Sequence, residues 1–299
     1  MSLAAAARPL TRRARVGAYV ALTKPRIIEL LLVTTVPTMV VAARGVPSGW
    51  LVLATLVGGA LAAGGANAVN MYVDRDIDRL MERTQHRPLV TGAVSPQSAL
   101  VFAVALELLA FAELWLFVNL LSAVLAVSAT LFYVFFYTLW LKRASAQNIV
   151  IGGAAGAVPV LVGWAAVRDS LGLAPLVLFA IIFVWTPPHF WALAIRYRDD
   201  YRRADVPMMP TVVGLTRTAR QIVVYTVLLW VMSLVFYPVA RMGDLYLGAA
   251  IVLGAIFLWQ AVQLLRDRTP ERAMRLFGYS ISYLTLLFAA MAADQLLRG

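Results

Sequence analysis

Nine apolar stretches recur along the chain, near positions 27–43, 50–73, 98–118, 121–141, 148–167, 172–195, 221–240, 245–265 and 277–296. A helix needs about 20 mostly apolar residues to cross the hydrocarbon of a bilayer, and each stretch is close to that length. The pattern predicts an all-α polytopic membrane protein with nine transmembrane helices. Residues 1–20 carry no apolar run and are expected to form a weakly ordered cytoplasmic N-terminal arm. Residues 21–299 are expected to form a single transmembrane domain. The first apolar run starts only after Lys24, Pro25 and Arg26, and many spans follow it, so the beginning does not read as a cleaved signal peptide.

Composition supports the membrane reading, at 62% hydrophobic and 14% charged residues. The formal charge of +11 suggests a nucleic-acid partner until the basic residues are placed on the spans. Of the 26 Lys and Arg, 22 fall in the N-terminal arm and in alternate connecting segments, leaving Arg44, Arg168, Arg241 and Arg298 on the other side. The positive-inside rule then puts the N-terminus in the cytoplasm and the C-terminus outside a cell membrane. Basicity here reports topology and implies no nucleic acid. The absence of cysteine excludes disulfides and thiolate metal sites. Two histidines, His86 and His189, argue against a multi-histidine metal centre.

The segment NAVNMYVDRDIDRLMERTQHRPL, positions 67–89, breaks the apolar pattern by placing four acids between Asp74 and Glu82. If the second span continues as a helix, Asn70, Asp74 and Asp78 lie on one face, about 6 Å apart along the axis. Such a row of oxygens suits a hard cation, Mg²⁺, shared with the phosphates of a substrate. Arg75, Arg79, Arg83 and Arg87 follow, and guanidinium groups read phosphate oxygens well. The other reading is a solvated helix end with i, i+4 ion pairs. Pro88 is expected to stop this helix. Lys24 and Arg26 either contact a substrate diphosphate, one way of presenting such phosphates, or anchor the first span at the headgroups, while Glu29 enters that span's first turn, near the positive end of its dipole. Tyr137, Lys142, Arg143 and Asn148 should reach the same membrane face.

Within the spans, Glu107 and Glu113 are intramembrane acids, six residues apart and so not on one face. Pro187 and Pro188 precede His189 in the sixth span. That histidine either satisfies a carbonyl freed by proline or serves a ligand. The span leads into a second charged stretch with Asp199, Asp200 and Asp205. Asp78 and Asp200 are 122 residues apart, the same offset as the starts of the second and sixth spans near Trp50 and Gly172. Spans one to four and five to eight therefore read as parallel repeats, with a ninth helix outside them. Each repeat contributes an acidic cluster to one face, which favours a site shared by the halves.

These residues resemble a known family. The motif Asn70, Asp74, Asp78, with a second acidic loop after the sixth of nine helices, is similar to the UbiA superfamily of intramembrane prenyltransferases. LTKPR at 22–26, NMYVDRDIDRLMERT at 70–84, YTLWLKR at 137–143, NIVIGGAAGAVP at 148–159, TPPHFWALA at 186–194 and DDYRRADVPMMP at 199–210 resemble its haem-farnesylating branch. The resemblance implies transfer of the farnesyl group of farnesyl diphosphate to a vinyl group of haem B, giving haem O. It implies Mg²⁺ held by Asn70, Asp74, Asp78 and Asp200, diphosphate bound by Lys24, Arg83, Arg87, Lys142 and Arg143, and haem met by His189, Trp185 and Tyr137. It also implies a haem-modifying or oxidase-assembly partner. Two other readings remain open. One is a prenyltransferase acting on an aromatic acceptor such as a hydroxybenzoate or quinone precursor. The other is an ion-coupled transporter, disfavoured because both acidic clusters lie at a membrane edge and transport sites lie near the midplane.

Overall fold

The computed structural model describes residues 11–298, apart from the side chains of Arg26, Ile27 and 29–32. The expectations for residues 1–10 and for the side chains of Arg26 and Glu29 lie outside the described residues. A short helix, α1 (Arg12–Leu22), precedes nine long ones: α2 (Pro25–Ala43), α3 (Gly49–Asp78), α4 (Pro96–Phe117), α5 (Leu120–Ala144), α6 (Asn148–Arg168), α7 (Leu173–Arg196), α8 (Gly214–Ala240), α9 (Asp244–Arg266) and α10 (Pro270–Arg298). The eight from α3 to α10 are long and apolar enough to cross a membrane. With 19 residues, α2 is about 28 Å long and makes the ninth.

Helix α3 packs on α4 and α4 on α5; α6 packs on α7, α7 on α8 and α8 on α9. The two groups meet through α2 and α5 on α6, and α10 closes the bundle against α9, α7 and α2. This is the expected pair of four-helix repeats with a ninth helix added. The helices α3 and α7 are counterparts, and both end at the face that carries the acids. Asp294 ties α10 to the start of α9 by accepting from the backbone N–H of Gly243 at 2.6 Å and of Tyr246 at 3.2 Å, two donors that have no partner within that helix.

Close approach of α3 and α4 depends on glycine. A Cβ at Gly65 would stand 3.0 Å from the Ala103 carbonyl oxygen and closer still to Glu107. Glu107 and Glu113 both reach α3, at Gly65 and Gly58, although their spacing predicted separate faces. They are about 120° apart on α4, and the small residues of α3 admit both. Glu107 also accepts from Thr130 of α5 at 3.1 Å.

Three features differ from expectation. Residues 12–20, expected within a weakly ordered arm of residues 1–20, belong to α1. Its Ala18 and Leu22, one turn apart, are buried against Ala68, Met71, Ala99 and Ala103 of α3 and α4. Two apolar positions are too few to stand out in a sequence. Helix α3 ends at Asp78, ten residues before Pro88. The Thr84 hydroxyl donates to the Asp78 carbonyl at 3.0 Å, and successive turns through Met81, Thr84 and Arg87 fold the loop back over the helix end. Finally, residues Phe132–Leu141 of α5 wind as a π-helix, in which the Thr138 hydroxyl donates to the Tyr133 carbonyl at 2.8 Å. Wider turns of this kind shift the side-chain register and recur at functional sites.

Candidate active site

The row predicted on α3 forms, and it points inward. Asn70, Asp74 and Asp78 are 3%, 0% and 2% exposed. The Asn70 amide nitrogen donates to Asp74 Oδ2 at 2.7 Å and to the Thr138 hydroxyl at 3.3 Å. Lys142 Nζ donates to the same Asp74 oxygen. Thr138 and Lys142 are one helical step apart on α5, and the π-helical stretch sets both against α3.

Cations surround this row. Lys24 Nζ donates to Asn70 Oδ1 at 2.7 Å. Lys24 has a left-handed backbone, φ 52°, directly before Pro25, and the preceding Thr23 carbonyl accepts from Asn67 at 3.1 Å. A non-glycine residue in that region costs about 1–2 kcal/mol, so tertiary contacts hold it there. Loss of hydration, then the Arg87 and Lys142 charges, push the Lys24 ammonium well below the usual lysine range; Asp74 and Asp78 oppose the shift. Arg87 reaches Asp78. Arg143 binds both oxygens of Asp76 at 2.7 Å and lies 3.9 Å from Asp74 Oδ1. Arg83 covers the Tyr197 ring at 5.8 Å. Arg75 and Arg79, in line with Arg83 and Arg87 in sequence, lie instead on the outer face of α3.

The second loop joins this group through Asp200 and Tyr201, which are 6% and 8% exposed. Asp199 and Asp205 are exposed. Arg203 pairs with Asp200 and reaches Glu82 of the first loop at 3.3 Å, so one side chain spans the two repeats. Asn148, fully buried, donates to the Pro207 carbonyl at 3.3 Å and ties the start of α6 to the same loop.

Deeper in α7, His189 lies between two rings, Trp185 at 4.3 Å and 19° and Phe277 of α10 at 4.5 Å and 25°. Its Nδ1 is 2.7 Å from the Ser280 hydroxyl oxygen, and that hydroxyl is 2.6 Å from the Phe277 carbonyl. Ser280 has one proton. Both bonds are made together only if it donates to Phe277 and accepts from His189 Nδ1–H, which leaves Nε2 with a free lone pair. Trp185 donates to the Ser280 carbonyl at 2.8 Å. The histidine therefore makes its bond to serine and does not cap a carbonyl freed by the prolines. Tyr137 lies elsewhere, stacked on Tyr133 at 5.3 Å and within electrostatic range of Asp74, Arg83 and Tyr201. Among the described residues no hydrogen bond or ring contact links it to His189.

The chain matches the UbiA prenyltransferase family over residues 31–289. It belongs to that family. It is 54% identical to the protoheme IX farnesyltransferase of Kineococcus radiotolerans, over 95% of this chain and 89% of that one. It is also 54% identical to the protein of the same name from Leifsonia xyli, over 95% and 93%. Among solved structures, one described as that of digeranylgeranylglyceryl phosphate synthase superposes with a TM-score of 0.78, at 17% identity, covering 95% of this chain and 99% of that one. A UbiA homologue from Archaeoglobus fulgidus bound to DMAPP and Mg²⁺ gives a TM-score of 0.66 at 16% identity, covering 91% and 98%. These two likenesses concern the fold.

In this UbiA-family chain the donor set has the chemistry of a hard-cation site. Asp74 Oδ1 is buried with no hydrogen-bond partner, the position from which a carboxylate oxygen would meet a cation. Yet among the described residues no three acids converge on one point. Asp74, Asp78 and Asp200 are each paired with a basic side chain, Lys142, Arg87 and Arg203. Reading the sequence missed Thr138, Ser280 and Phe277, and it assigned no role to Glu82 and Arg203 within the two charged stretches. Thr138 had a signal, because it lies four residues before Lys142. The others are brought in by packing between distant segments.

Proposed function

We propose that this prenyltransferase moves the farnesyl group of farnesyl diphosphate onto a vinyl group of haem B. Full-length relatives named protoheme IX farnesyltransferase support the reaction. The observation that favours haem over a phenolic acceptor is His189, whose Nδ1 is held by Ser280 and whose Nε2 is free for iron. Trp185 and Phe277 fix the ring plane and so direct that lone pair.

Asn70, Asp74, Asp78 and Asp200 are the residues that would hold Mg²⁺. When bound, the metal supplies positive charge to the phosphate oxygens. Lys24, Arg87, Lys142 and Arg143 take up the charge of the departing diphosphate, and Arg83 closes the site over Tyr197. Because these cations are already held in place, stabilising that charge needs little reorganisation. The allylic C–O bond breaks, leaving diphosphate and a farnesyl cation. The vinyl π electrons form the new C–C bond, and water adds at the carbon next to the pyrrole and loses a proton. The buried acid row and the apolar helices around it keep water from the first cation. The electrostatic range of Tyr133 and Tyr137 to Asp74 favours a role for both beside the donor. The charge distribution supports a cytoplasmic N-terminus, an external C-terminus and donor binding at the cytoplasmic face of the cell membrane.

The test is to incubate purified protein with haem B, farnesyl diphosphate and Mg²⁺ and to weigh the porphyrin. The expected product gains one farnesyl group and one hydroxyl group. A product only from a phenolic acceptor would move the chain to the other branch of the family.

A further inference from the structure

The end of α3 has two working faces, and the reaction uses one. Asn70, Asp74 and Asp78 point into the bundle, whereas Arg75, Asp76 and Arg79 are about 100–160° from Asp74 around the helix. Between this outer face and α5 lies a cavity of about 450 Å³, lined by Val73, Arg75, Asp76, Arg79, Leu139 and Arg143. Three guanidinium groups and one carboxylate leave it net positive. The carboxylate is already engaged, since both Asp76 oxygens accept from Arg143. Arg75 is held over the Tyr72 ring at 4.6 Å and spends one donor on the Tyr72 carbonyl, keeping the rest. The Arg79 side chain makes no hydrogen bond or ion pair among the described residues.

The remaining walls are apolar. Leu139 is 48% exposed, and beside it Trp140 is 59% exposed at the end of a membrane-spanning helix. Tryptophan in that position marks the headgroup level of a bilayer. The cavity thus offers guanidinium donors at headgroup depth above an apolar wall that faces acyl chains.

We propose that this cavity binds the phosphate group of an anionic phospholipid. Guanidinium groups recognise phosphate by paired N–H donors, and free inorganic phosphate would present the same oxygens. Position favours the lipid, because Val73, Leu139 and Trp140 offer nothing to a soluble anion and match an acyl chain. Arg143 borders both this cavity and Asp74, so the lipid lies next to the donor site without entering it.

The test uses the full chain in detergent and counts bound molecules by native mass spectrometry. Phosphatidylglycerol, phosphatidylcholine, inorganic phosphate and inorganic diphosphate are added in separate arms. The expected result is one tightly retained phosphatidylglycerol, with affinity falling about fivefold for Arg79→Gln and about 25-fold for Arg75→Gln/Arg79→Gln, since each basic group near a membrane surface contributes about that factor. Arg75→Lys/Arg79→Lys should keep most of the binding. Arg79→Gln removes a side chain without partners, so it remains decisive if the double variant fails to fold. Equal phosphatidylglycerol retention by wild type and Arg79→Gln would overturn the proposal. So would retention of phosphatidylcholine as tight as that of phosphatidylglycerol, or an Arg79-dependent site filled by phosphate or diphosphate and not by lipid.

Discussion

Arg87 folds back nine residues to set one guanidinium nitrogen against both carboxylate oxygens of Asp78, at 2.8 and 2.6 Å. The carboxylate is 3% exposed and the guanidinium 15%, so the pair has largely left water. Removing one member of such a pair leaves an uncompensated charge and costs about 3–5 kcal/mol, whereas removing both can be nearly neutral. Arg87→Ala should therefore lower the unfolding temperature markedly, and Asp78→Ala/Arg87→Ala should restore much of it without restoring transfer. Thermal unfolding in detergent, with product formation measured alongside, separates the two effects. A double variant as unstable as the single one would show that the pair is not coupled.

Asp74 calls for a milder substitution. Asn70 and Lys142 both donate to its Oδ2, so Asp74→Ala would strand a lysine that is 15% exposed, confusing folding with catalysis. Asp74→Asn keeps the volume and one acceptor oxygen but removes the charge. Transfer should fall by about 10²–10³, the scale for losing one electrostatic group in a preorganised site. Farnesyl diphosphate binding should at the same time lose its dependence on Mg²⁺. Binding assays with and without a chelator check this, and wild-type Mg²⁺ dependence in Asp74→Asn would remove Asp74 from the metal site.

Orientation follows from charge alone. With 22 of 26 basic residues on one side, a reporter fused after Gly299 should be active only outside the cytoplasm. Cytoplasmic activity would require an even number of crossings, and one of the nine long helices would then have to lie on the membrane.

The spans were legible because length and apolarity decide a membrane helix with little help from tertiary structure. The Asn70, Asp74, Asp78 row was legible because a period of 3.6 places those positions on one face. What escaped depended on contacts between segments far apart. The inward turn of Arg87 rests on a loop that ends α3 early and folds back over it. The pairing of Glu107 and Glu113 with Gly65 and Gly58 needs two helices in register. The π-helical turns of α5 leave no mark in the aromatic run FYVFFYTLWL, yet they help set Thr138 and Lys142 against the row. For His189 the sequence offered two readings, and its partner Ser280, 91 residues away, supplies what neither contained.

That partner makes the acceptor role of His189 testable apart from its packing. Truncating His189 removes three ring contacts and a hydrogen bond, so His189→Ala is expected to destabilise the protein whatever the residue does. His189→Phe keeps a ring between Trp185 and Phe277 but has no nitrogen for iron, and it should abolish the haem absorption change while staying folded. Ser280→Ala leaves the imidazole in place and removes the acceptor that holds Nδ1–H. Partners of this kind affect metal affinity by about 10–100-fold, so haem affinity should drop by about tenfold. Mg²⁺-dependent farnesyl diphosphate binding should be unchanged in both, because the acid row and its cations lie on α3, α5 and the loops. If folded His189→Phe binds haem with wild-type affinity and spectrum, the histidine is a packing residue, and the case for haem rests on sequence relatives alone.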